Sequence, residues 1–214
     1  MRVMRVLLTG ATGMVGEGVL LACLEHPAVS EVLSVSRKSC GRTHPKLKEL
    51  LAPSFLELTE LPKGHDACFY CAGTTSVGKT EAEYTAITYD TVVHFAELCA
   101  SPQMTFVHIS GAGTDGTEKG KVMWARVKGR AENALTRLPF KAAYNFRPGF
   151  MKPMPGQRSV NRYYWLVGWL YPLARALGYA STLREVTQAM VNAATNGYEK
   201  PVLEIRDINA LAAR

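Results

Sequence analysis

The stretch Thr9-Gly10-Ala11-Thr12-Gly13-Met14-Val15-Gly16 follows a β-rich apolar run, Val3–Thr9, and opens a helical pattern from Met14 to about Glu25. A glycine-rich turn between a strand and a helix lets backbone approach a pyrophosphate closely. The helix start then offers free N–H groups and a positive dipole end. The turn therefore reads as a dinucleotide site carried by Gly10, Thr12, Gly13, Met14 and Val15.

Outward from this turn, short apolar runs alternate with longer amphipathic ones. Strands are expected at Glu31–Ser36, Ser54–Leu58, Asp66–Cys71, Met104–Ser110, Lys141–Phe146 and Val202–Ile205. Helices are expected at Glu81–Ala100, Lys121–Leu138, Arg158–Leu177 and Leu183–Thr195, the last opened by Thr182 and Glu185 at capping-box spacing. Such alternation predicts an α/β fold: a Rossmann-like, doubly wound parallel sheet with helices on both faces. The length of 214 residues fits one domain. The Pro- and Gly-rich stretch Arg147–Gly156 is the only candidate boundary, and residues 150–182 read as a substrate or lid subregion.

The end of the second strand bears on which dinucleotide is taken. An NAD site places Asp or Glu there to accept from the ribose hydroxyls. Here Val35-Ser36 runs into Arg37-Lys38, and a guanidinium beside an ammonium suits a 2′-phosphate. NADP(H) is the expected cofactor.

A rival motif lies in Gly73-Thr74-Thr75-Ser76-Val77-Gly78-Lys79-Thr80, which fits the phosphate-loop pattern G-x-x-x-x-G-K-[ST] residue for residue. On that reading Lys79 would meet nucleoside triphosphate and Thr80 magnesium. The metal-holding Asp expected at the end of a second apolar strand is missing: Met104–Ser110 ends in Ser, and Lys141–Phe146 ends before Arg147. The rival also leaves the N-terminal glycine turn unexplained.

Composition is that of an ordinary globular chain, 47% hydrophobic and 20% charged. The net charge of +7 is uneven, because residues 121–180 hold 11 Lys/Arg against the single acid Glu132. Such a field suits a phosphorylated ligand, an anionic substrate or an acidic lipid surface, and no nucleic-acid module accompanies it. Five scattered cysteines suggest a reducing compartment, and Cys68 and Cys71 read as core residues rather than a redox pair. The histidines show no metal-ligand spacing, so no metal site is expected. Glu17 and four glycines interrupt the only stretch resembling a signal peptide, and the 12 uncharged residues Tyr163–Ala174 are too few to span a bilayer. A cytoplasmic protein is expected.

The glycine turn, Cys71-Ala72-Gly73-Thr74-Thr75, Val107–Asp115, Val127-Lys128-Gly129-Arg130-Ala131-Glu132 and Arg147-Pro148-Gly149 together resemble the atypical short-chain dehydrogenase/reductases. The resemblance is strongest to the Tat-interacting-protein-like branch, often labelled nucleoside-sugar-epimerase-like. It implies NADP(H) held also by Ala72, Gly73, Thr74 and Lys128. It further implies an NADPH-linked oxidoreductase acting on a small carbonyl-type compound through a Tyr-x-x-x-Lys pair, with a Ser after the fifth strand. Residues four apart share a helix face, so the lysine lowers the tyrosine pKa and lets it pass a proton as hydride moves.

This chain departs at the tyrosine, where Trp124 stands four residues before Lys128. An indole N–H donates a hydrogen bond but is no acid near neutrality. Ser110 occupies the first of two adjacent serine positions and Gly111 the second. Lys128 and Ser110 remain the candidate catalytic residues. Two accounts follow: a reductase using another acid, with Tyr84, Tyr89, Tyr163 and Tyr164 as candidates, or a non-catalytic NADPH-binding protein that reports redox state through a partner surface. The basic, aromatic segment Arg158–Arg175 would be that surface or a substrate lid.

Overall fold

The computed structural model describes residues 3–160 and 168–214. Seven strands form one parallel sheet. They are β1 (Met4–Thr9), β2 (Val29–Ser36), β3 (Leu47–Leu51), β4 (Ala67–Tyr70), β5 (Thr105–Ile109), β6 (Ala142–Arg147) and β9 (Val202–Glu204), in the order β3-β2-β1-β4-β5-β6-β9. The order reverses beside β1, which pairs with β2 on one side and β4 on the other, so the crevice at the carboxyl ends of β1 and β4 is the switch point where ligands bind in such sheets.

Burial follows the two-residue period of a strand. Val6, Leu8, Phe69 and Val107 face one layer, with helices α1 (Met14–Glu25), α6 (Leu183–Asn196) and α7 (Ile205–Ala212). Leu7, Tyr70 and Phe106 face the other, with α3 (Thr91–Cys99) and α4 (Met123–Leu135). There Tyr70 meets Phe95 edge to face and stacks on Phe106, with ring centroids 5.5 and 6.0 Å apart. Strands buried on both faces read as continuous apolar runs, which is why β1, β4 and β5 are legible in the sequence.

Three expectations change. The third strand is Leu47–Leu51, not Ser54–Leu58: it is an edge strand, largely exposed, and Lys48 and Glu49 dilute its apolar alternation. Phe55 lies instead in the following loop and packs on Phe95 at 5.2 Å. The helix expected over Glu81–Ala100 is broken into α2 (Glu81–Thr85), a π turn (Ala86–Asp90) and α3, with the Thr91 hydroxyl donating to the Ala86 carbonyl at 2.7 Å. The last strand stops at Glu204, and α7 begins at once, capped by Glu204 and Asp207 rather than by a serine or threonine.

Beyond β6, β7 (Phe150–Lys152) pairs in parallel with β8 (Ala180–Thr182). Of the expected helix Arg158–Leu177, residues 161–167 lie outside the described residues; a short 3-10 turn (Gly168–Leu170) leads into α5 (Tyr171–Ala176). Among the described residues no helix is long and apolar enough to cross a membrane.

Candidate functional site

At the switch point the two glycine-rich turns meet in one cleft of about 580 Å³. Gly10, Thr12 and Gly13 line it from the β1 turn, Arg37 from the end of β2, and Ala72, Gly73 and Thr74 from the end of β4. The Thr9 hydroxyl, at the end of β1, accepts the N–H groups of Cys71 and Ala72, both at 3.1 Å, and so ties the turns together. Gly10 has a φ of +76°, and a Cβ there would come within 2.7 Å of the Cys71 and Ala72 backbone, so both conformation and packing require glycine.

The two helix starts beside this cleft differ. Gly13 caps α1, and no side chain among the described residues takes up its first N–H groups. That leaves donors and a positive dipole end for an external anion. Thr80 caps α2 with a full capping box. Its hydroxyl accepts the Glu83 N–H at 3.3 Å, and the Glu83 carboxylate accepts the Thr80 N–H at 2.8 Å and its hydroxyl at 2.9 Å. The position a phosphate would take on a P-loop helix is thus filled by the chain's own carboxylate.

Other lining groups carry no motif. Pro53, Ser54, Phe55 and Leu56 enter from the loop after β3, and Ile87 and Thr91 from the π turn and the start of α3. Only the fold, by placing these segments at the sheet's carboxyl end, identifies them. Among the described residues the lining contains no acid and two cations, Arg37 and Lys79. Met14, Val15 and Lys38 do not line the cleft; Met14 and Val15 form the first turn of α1, and Lys38 is exposed beside Arg37.

Ser110 and Lys128 lie outside this cleft, past β5 and on α4. α4 is held by a buried pair: Arg147 at the end of β6 donates to both Glu132 oxygens, at 3.0 and 2.6 Å. Burial lowers the Lys128 pKa, opposed by the charge of Glu132 one turn on. Its methylenes pass 3.8 Å from where a Cβ on Gly111 would stand. Trp124, on the same face of α4, lays its ring against Gly113 in the loop after β5.

The Ser110 hydroxyl is buried 3.1 Å from that of Thr114, which itself donates to the Gly111 carbonyl at 2.7 Å. With the Thr114 proton so used, Ser110 is the donor between them, which leaves its lone pairs for a substrate donor. Beneath them His108 is fully buried, and its pKa falls to about 3 through burial and then the charge of Lys128. Asn145 turns its amide nitrogen to the Glu132 carbonyl at 3.4 Å, so its oxygen accepts from His108 Nδ1 at 3.0 Å.

Of the substitute acids, Tyr84 is buried in the core and burial raises its pKa, the wrong direction for proton transfer near neutrality. Tyr89 lies under the Arg130 guanidinium, 3.9 Å from the ring centroid. Tyr163 and Tyr164 lie outside the described residues.

Glu17 is a residue the sequence reading missed, since it stood there only as an interruption in an apolar stretch. Burial alone would raise its carboxyl, but hydrogen bonds from the Ser159 hydroxyl, Arg42 and the N–H groups of Ser159 and Arg158 outweigh that and bring it to about 2. Glu17 thereby ties α1 to Arg42 in the β2–β3 loop and to residues 158–159.

Comparison with known proteins agrees with this fold. The chain is 29% identical to the "Protein fmp52-2, mitochondrial" of Aspergillus terreus over 66% of its own length, spanning 65% of that protein. It is 26% identical to rat "Protein HTATIP2" over 87% of its length and 79% of that protein's, in line with the Tat-interacting-protein-like resemblance. The UDP-glucuronic acid 4-epimerase of Bacillus cereus, solved in complex with NAD, superposes with a TM-score of 0.68 at 15% identity, covering 99% of this chain and 85% of the other. The expected cytoplasmic location does not stand, because fungal relatives are designated mitochondrial proteins. That expectation rested on scattered cysteines and on interrupted apolar stretches, and neither distinguishes the cytosol from the mitochondrion. The model of the "NAD dependent epimerase/dehydratase family" matches residues 6–122, more than half of the 214, and the chain belongs to that family.

Proposed function

We propose that this chain binds NADP(H) in the cleft at the carboxyl ends of β1, β2 and β4 and uses it to reduce a small carbonyl-type substrate. The observation that carries the reading is Arg37, on the cleft wall at the end of β2, in a lining without an acid among the described residues. A carboxylate there would repel a 2′-phosphate, whereas a guanidinium takes it through two parallel hydrogen bonds.

Gly10, Thr12 and Gly13 at the start of α1, with the backbone N–H groups of Met14 and Val15 that no side chain takes up, fit the pyrophosphate, and Ala72, Gly73 and Thr74 the adjoining ribose. When bound, the reduced dinucleotide supplies the hydride. Lys128 holds the nicotinamide ribose through its ammonium, and Ser110 orients the substrate by turning its O–H from Thr114 to donate to the carbonyl oxygen. The proton comes from a group other than the missing tyrosine. Residues 150–182 form the substrate region of a single domain, tied to the nucleotide helix through Glu17.

Trp124 favours a second reading, NADPH binding without turnover, because an indole cannot deliver that proton. Following NADPH absorbance with a panel of aldehydes and quinones separates the two. Substrate-dependent oxidation supports the reductase; tight binding with no oxidation across the panel supports the second reading.

A further inference from the structure

We infer that Lys79 is a phosphate ligand of the bound dinucleotide, reaching into the cleft from the turn that imitates a P-loop. The inference rests on the dinucleotide reading above. The residues Gly73–Thr80 match a nucleoside-triphosphate motif, yet that turn keeps no phosphate site of its own. Glu83 occupies the start of α2, and the Thr80 hydroxyl, which would otherwise meet magnesium, is used between the Glu83 N–H and carboxylate.

Lys79 is left with a different task. It is half-buried and lines the same cleft as Gly10, Gly13, Arg37 and Gly73. It makes no ion pair among the described residues, whereas Arg42, Arg126, Arg147, Arg175 and Arg184 each hold a carboxylate. Lys79 feels the charge of Glu83, which lies outside the lining, but no acid faces the cleft itself, and a dinucleotide brings phosphate to it at two places. One is the 2′-phosphate that suits Arg37, and the other is the pyrophosphate that suits the α1 turn. The P-loop pattern is thus a coincidence of spacing in which the lysine keeps a phosphate role and gives up the triphosphate.

Calorimetric titration of the unmodified protein, Lys79→Gln and Lys79→Arg with NADPH, NADH and Mg-ATP tests this. Lys79→Gln is expected to weaken NADPH binding about tenfold, as losing one charge-assisted hydrogen bond would. Lys79→Arg is expected to retain most of the affinity. A loss confined to NADPH places Lys79 on the 2′-phosphate, and an equal loss for NADH places it on the pyrophosphate. Unchanged affinity for both in Lys79→Gln overturns the inference while leaving the dinucleotide reading intact. Failure of the unmodified protein to bind either dinucleotide overturns both, and Mg-ATP binding that depends on Lys79 replaces them with a true P-loop.

Discussion

Gly129 of α4 approaches Asp115 so closely that a Cβ on the glycine would stand 1.8 Å from the Asp115 carbonyl oxygen. The loop after β5 and the helix carrying Trp124 and Lys128 therefore touch backbone to backbone, and the glycine of Val127-Lys128-Gly129 is fixed by packing. Gly129→Ala must push α4 off that loop, at an expected cost of about 2–3 kcal/mol. Gly111→Ala meets only Lys128 methylenes at 3.8 Å and is expected to cost under about 0.5 kcal/mol. Denaturant unfolding of the two variants checks the contrast; equal losses would contradict the packing.

That room beside Gly111 makes the lost chemistry testable. Trp124→Tyr with Gly111→Ser rebuilds the tyrosine hydroxyl on the helix that already presents Lys128 and the serine hydroxyl in the loop after β5. The double variant is expected to oxidise NADPH with simple aldehydes or quinones at least tenfold faster than the unmodified protein. No gain, with NADPH affinity unchanged, would mean that the substrate region does not admit such compounds.

Stability is expected to fall on acidification in two stages. The folded His108 titrates at about 3, against an ordinary 6.5, so the unfolded chain takes up this proton first and stability drops as pH falls from 6.5 toward 3. Glu17 titrates at about 2, against an ordinary 4.5, so its contribution, at most about 3 kcal/mol, is complete above 4.5 and lost toward 2. Unfolding free energies at steps from pH 7 to 3 measure both. His108→Gln should flatten the upper stage and Glu17→Gln the lower; a profile flat from pH 6.5 to 4.5 would contradict the His108 assignment, and no difference between Glu17→Gln and the unmodified protein from pH 4.5 to 3 would contradict that of Glu17.

Arg37→Ala combined with Lys38→Ala is expected to weaken NADPH binding by tenfold or more and to change NADH binding little. Arg37 faces the cleft and Lys38 does not, so most of the loss should reside in the single Arg37 change. Equal losses for both cofactors, read by titration, would remove the end of β2 from the 2′-phosphate.

Much of this site is written locally. Gly10, Gly13, Arg37 and Gly73 sit at strand ends whose apolar runs announce them, and the sheet brings these ends level, with Thr9 opposite both Val35 and Tyr70. What is illegible depends on distant partners. Leu47–Leu51 is a strand only because β2 offers its edge, and Phe55, Ile87 and Thr91 reach the cleft through a loop and a π turn that carry no pattern. Glu17 gains meaning only when residues 158–159 fold over it. The P-loop reading of Gly73–Thr80 fails for a reason spacing does not reveal: Glu83, three residues on, turns back onto Thr80.

The most direct test of the account is calorimetric titration of the unmodified protein with NADPH, NADH and Mg-ATP side by side. Tight NADPH binding, NADH weaker by tenfold or more, and no response to Mg-ATP are expected. Equal affinity for the two dinucleotides, or binding of Mg-ATP alone, would contradict the account.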